Sequence, residues 1–108
     1  MRLLWFFLIL STSAAFGQSA ERGMKLYQDK WCHSCHGTAG QGGERGAGPK
    51  LAPNPFPYDA FAAQTRRPRM NMPRYPLEHL SDAELADIYA YLASVKSRPA
   101  KDIPELRD

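Results

Sequence analysis

Cys32-His33-Ser34-Cys35-His36 places two thiols and an imidazole within five residues. The C-x-x-C-H spacing is that of covalent c-type haem attachment. Two thiols separated by two residues can become thioethers on the vinyl groups along one edge of a porphyrin. The imidazole that follows, His36, can ligate the iron from the proximal side, with a Met completing the pair in electron-carrying cytochromes. The motif contains the only two Cys of the chain and two of its three His.

Other chemistry uses the same residue types. A thioredoxin-like redox pair needs a βαβ context, and no such pattern surrounds Cys32 and Cys35. A structural zinc ion needs four N or S ligands, commonly from two separated pairs. Only His79 lies outside the motif. A plain disulfide suits an oxidising compartment but leaves His36 and the downstream Met without a role.

The elements around the motif follow from local signals. Residues 1–17 read as a secretory signal peptide: Arg2, an apolar run over 3–10, then small residues ending in Ala15-Phe16-Gly17. Cleavage after Gly17 is expected, with Ala15 as the alternative. An uncleaved anchor needs about 20 apolar residues, more than this run holds. The expected location is therefore the periplasm, where the haem motif would be matured. Of 108 residues, 91 remain after residue 17. A domain of that size buries only about 60–65% of its unfolded surface, so the chain without haem is expected to fold poorly. The formal charge of +3 falls by one without Arg2, and two propionates would nearly neutralise it. That is too little positive charge for nucleic-acid binding.

Residues 19–30 read as a helix with Ser19 as N-cap and Glu21 in the first turn. Gly23 and Met24 each share a face with Tyr27. Residues 37–48 hold six Gly in twelve and are expected to be a loop along the haem edge. Pro49 follows with a carbonyl but no N–H; a carbonyl near His36 could accept the Nδ1–H and hold the ring for ligation through Nε2. Residues 53–57 are extended or turning, and 58–65 form a short helix with Phe61 inward. Arg66, Arg67, Arg69 and Arg74 gather around Met70 and Met72 and offer forks for carboxylates, from propionates or an acidic partner. The last helix opens on a capping box, Ser81 with Glu84, and a staple of Leu80 with Leu85. Its stripe is Leu85, Ile88, Tyr89 and Leu92, and Pro99 bounds it. Residues 97–108 form an irregular tail.

These pieces together resemble the class I c-type cytochromes, the single-haem cytochrome c family, over residues 20–96. Gly23 and Tyr27 match the first-helix positions, and Ile88 and Tyr91 match those that cross them in the last helix. Cys32, Cys35 and His36 match the attachment site, and Pro49 the Pro whose carbonyl orients the His. Met72-Pro73 looks like the distal Met, with Met70 as the alternative. The resemblance implies an all-α fold, in which N- and C-terminal helices cross and loops wrap one covalently bound haem c with its iron. The domain would span 18–96. His/Met ligation would leave no open iron site, so the expected function is electron transfer rather than catalysis. Expected partners are a dehydrogenase or quinol-oxidising complex on one side and an oxidase or other cytochrome on the other, with no nucleic acid and no membrane span after the signal is removed. The alternatives are a dedicated cytochrome subunit of a periplasmic dehydrogenase, or a haem sensor or enzyme with a labile distal Met.

Overall fold

The computed structural model describes residues 17–96. The expected signal peptide, apart from Gly17, lies outside them, as do Pro99 and the tail over 97–108. Among the described residues there are four α-helices, α1 (Ala20–Asp29), α2 (Cys32–His36), α3 (Tyr58–Arg66) and α4 (Asp82–Ser94), and a 3-10 turn at Glu44–Gly46. No strand occurs among the described residues, and no helix among them is long and apolar enough to cross a membrane.

The capping signals do what their chemistry predicts. Ser19 Oγ accepts the Arg22 N–H at 3.1 Å and opens α1. Both halves of the α4 capping box form: the Glu84 N–H donates to Ser81 Oγ and the Ser81 N–H to Glu84 Oε1. The backbone N–H of Ser81 is the main reason the Glu84 carboxyl sits below the usual carboxylate range. Leu80 and Leu85, the two arms of the staple, are both buried.

α1 crosses α4 at Gly23. A Cβ there would overlap the carbonyl oxygen of Asp87, so only Gly lets the backbones approach this closely. One turn on, Tyr27 is fully buried beside Tyr91, ring centroids 5.5 Å apart. Met24 is turned outward, so the packed face of α1 is the Gly23–Tyr27 face. A polar clasp closes the same crossing. The buried carboxylate of Asp87 accepts from the Ser19 N–H at 2.7 Å and from Arg22 Nε at 3.0 Å.

Tyr27, Ala52, Leu80, Leu85, Ile88 and Leu92 make up the buried hydrophobic core. Phe61 packs against its edge, and Tyr89 turns from the α4 stripe toward α3, where it meets Tyr58 and Phe61. Four tyrosine hydroxyls reach out from this framework to backbone carbonyls. Tyr27 donates to Gly37, Tyr91 to Thr38, Tyr89 to Phe56 and Tyr75 to Lys30. The loops are thus tied to the helices through side chains rather than by a backbone ladder.

Candidate functional site

The attachment motif is one helical turn. Trp31, 69% exposed and in the left-handed region at φ +66, reverses the chain between α1 and α2. Its carbonyl accepts from the Ser34 N–H and from Ser34 Oγ, and its indole stacks on His33. His33 Nδ1 is buried without a hydrogen-bond partner among the described residues. Cys32 and Cys35 are unbridged; Cys32 is half-buried and Cys35 exposed. Burial pushes the Cys32 thiol up to about 11, so it is a neutral thiol at pH 7.

His36 is the buried end of this turn, 8% exposed. Its Nδ1 lies 2.8 Å from the Pro49 carbonyl oxygen. A carbonyl only accepts, so the proton must sit on Nδ1 and the lone pair on Nε2. Nε2 has no hydrogen-bond partner among the described residues. The Gly-rich loop brings Pro49 back to this ring. The Gly42 N–H donates to the His36 carbonyl and the Gly43 N–H to that of Gly48. Side chains at Gly43 or Gly48 would collide with the Cys35 carbonyl, which is why the loop can lie flat on the motif. The donor set fits a haem c: two thiols on one turn, and beside them an imidazole whose lone pair is free.

Met72 and Met70 belong to a different element, the connection over 67–81 between α3 and α4. Met70 is 97% exposed at φ +64. Met72 is half-buried, its sulfur 3.9 Å from Gln64 Nε2. No hydrogen bond joins either Met to the α2 group among the described residues. Arg66 does not belong with the other arginines. It turns inward and donates to the carbonyls of Tyr75 (3.1 Å) and Leu80 (2.5 Å) and to Asp82 Oδ1 (2.7 Å). The carboxylate it holds is therefore one of this chain's own. Arg67, Arg69 and Arg74 remain exposed. His79 is exposed, and its carbonyl accepts from Lys30 Nζ. The sequence reading gave no role to Gln64, Tyr75 or Asp87: Tyr75 and Asp87 act on partners distant in the chain, and nothing in the sequence marks Gln64. A groove of about 710 Å³ between α1 and α4 is lined by residues such as Arg22, Lys25 and Glu84. It includes neither thiol nor His36.

Comparison with known proteins agrees with this chemistry. Residues 18–92 match the family described as cytochrome C oxidase, cbb3-type, subunit III. The chain is also similar to a cytochrome bc1 complex cytochrome c subunit from Corynebacterium diphtheriae, 36% identical over 83 residues. That similarity covers 74% of this chain but 28% of the relative, so the chain spans well under half of the relative's length. No solved structure matches it. With the haem-attachment motif, the all-α framework and a match that takes in most of its residues, the chain belongs to the family of the cbb3-type oxidase subunit III domain, which is a c-type cytochrome.

Proposed function

We propose that this c-type cytochrome holds one haem and carries one electron at a time in the periplasm, between a dehydrogenase or quinol-oxidising complex and a terminal acceptor. Cys32 and Cys35 would hold the haem as thioethers, and His36 and Met72 would ligate its iron. When bound, the haem supplies a one-electron iron couple. The chain's own contribution is positional. Pro49 fixes the His36 tautomer through its carbonyl, the glycine loop brings Pro49 back to that ring, and Arg67, Arg69 and Arg74 present positive charge to an acidic partner. The observation that carries the reading is the His36–Pro49 contact, since a nitrogen lone pair kept free beside two thiols has a clear use as a metal ligand.

The optical spectrum of the periplasmically matured protein tests it. The ferric form should show the far-red sulfur-to-iron band; Met72→Ala should abolish it and Met70→Ala should not. A wild type that lacks the band and binds carbon monoxide readily would instead be a sensor or enzyme. Mass measurement of the same sample should find residues 1–17 missing.

A second reading is favoured by the relative's name, which places that protein in a bc1 complex. The chain would then be a fixed subunit of an oxidoreductase assembly. Co-purification with a larger subunit, lost when residues 97–108 are deleted, separates it from a free carrier.

A further inference from the structure

α3 ends on Gln64, Thr65 and Arg66, and each of them grips the connection that follows. The Thr65 carbonyl accepts the Tyr75 N–H at 3.1 Å, and Arg66 holds the Tyr75 and Leu80 carbonyls. Gln64 reaches further along the loop. Its Oε1 accepts the Arg69 N–H at 3.3 Å, and its Nε2 donates to the Arg69 carbonyl at 3.3 Å. This two-way pairing decides the orientation of the amide, because a backbone N–H needs the oxygen end and a carbonyl needs the NH₂ end. The NH₂ end is therefore also the one that lies 3.9 Å from Met72 Sδ, at the outer range for a donor to sulfur. Between Arg69 and Met72 the chain turns at Met70, whose φ of +64 sends its own side chain into solvent. Met72 is the methionine that comes back to face Gln64.

We infer that Gln64 is a positioning residue for the Met72 sulfur, donating a hydrogen bond to it and thereby setting the redox preference of the iron that Met72 ligates. The inference rests on Met72 as distal ligand. An N–H donor draws electron density from the sulfur. A poorer sulfur donor would disfavour Fe(III), which carries one more positive charge than Fe(II), so Gln64 would raise the reduction potential. Its pairing with Arg69 holds the donor in place without help from the haem.

The test uses the full-length, haem-loaded protein and its variants Gln64→Leu, Gln64→Glu and Met72→Ala, each titrated optically against a redox buffer. Gln64→Leu keeps the shape and removes the donor. The ferric-to-ferrous ratio at a fixed poise should rise about threefold to tenfold, the worth of one hydrogen bond, with the sulfur-to-iron band retained. Gln64→Glu keeps the acceptor for the Arg69 N–H but places a carboxylate beside the sulfur. It should favour Fe(III) further. A residue with a merely structural role would lower stability and leave the potential where it was. Wild-type potentials in both Gln64 variants, with the band lost only in Met72→Ala, overturn the inference and leave the ligand assignment standing. A band that survives Met72→Ala overturns the ligand assignment itself, and the inference with it.

Discussion

The α1–α4 crossing and the connection between α3 and α4 are held by different forces. At the crossing the contact is steric: Gly23 lies against the Asp87 backbone and Tyr27 is buried beside Tyr91. The connection has almost no such packing. None of residues 67–79 is fully buried, and the first that is, Leu80, already belongs to the α4 staple. Gln64 and Arg66 hold it by its backbone instead, and the Tyr75 hydroxyl ties it to the Lys30 carbonyl. A packed crossing fails by volume and takes the whole fold with it. A loop held by hydrogen bonds can open by itself.

The most direct way to break the crossing is Gly23→Ala. The added Cβ must displace the Asp87 carbonyl, so we expect a loss of about 3 kcal/mol or more in denaturant titrations of the haem-loaded chain. Unchanged stability would mean that the helices are not in contact there. Arg66→Ala breaks the other side and leaves two carbonyls and Asp82 without their donor, at about 2 kcal/mol. Here the location of the effect matters more than its size: amide exchange should quicken over 67–80 and stay slow in α1 and α4. Equal quickening in both would show that the connection has no independent opening.

Acid sharpens the comparison, because the clasp at the crossing carries charge. The hydrogen bond from Arg22 chiefly holds the Asp87 carboxyl below the usual carboxylate range, with the Ser19 N–H adding to it and burial opposing. A group depressed in the fold contributes stability above its unfolded value, about pH 3.9. That contribution is lost as pH falls through the lower folded value. Asp87→Asn should flatten this part of the stability–pH curve and cost about 1.5 kcal/mol at neutral pH, a low figure for a charged pair because Arg22 is half in water. An acid limb as steep as the wild type's would assign the effect to other carboxylates. The smallest change, Ser81→Ala, should cost about 1 kcal/mol. The staple of Leu80 and Leu85 remains, and hydrogen exchange in the first turn of α4 is the place to look.

The same division explains what could be read in advance. The capping box, the staple, the Gly23–Tyr27 face and the Pro49 carbonyl were legible because residue type and short spacing define them. The helical turn of α2 was not read, since its start depends on Trp31 entering a backbone region that nothing in the sequence marks. Arg66 was misread as one of an exposed cluster. Four arginines within nine residues look alike until the fold points one of them inward. Asp87 offered a faint signal, an acid directly before Ile88 in an otherwise apolar stripe. Its partners Ser19 and Arg22 lie more than sixty residues away.

Three of the phenol tethers, those of Tyr27, Tyr75 and Tyr91, set a limit at the opposite end of the pH scale. A phenol can donate to a carbonyl only while it keeps its proton. Burial raises Tyr75 and Tyr91 above the ordinary phenol range, and Tyr27 well above it. The stabilisation these ties provide is present below about pH 10 and is lost as pH rises through the higher folded values. Alkali should therefore untie the loops while the helices still stand. Tyr75 releases the turn at Lys30 and Tyr91 the strand of loop at Thr38, and Tyr27, the deepest, lets go of Gly37 last.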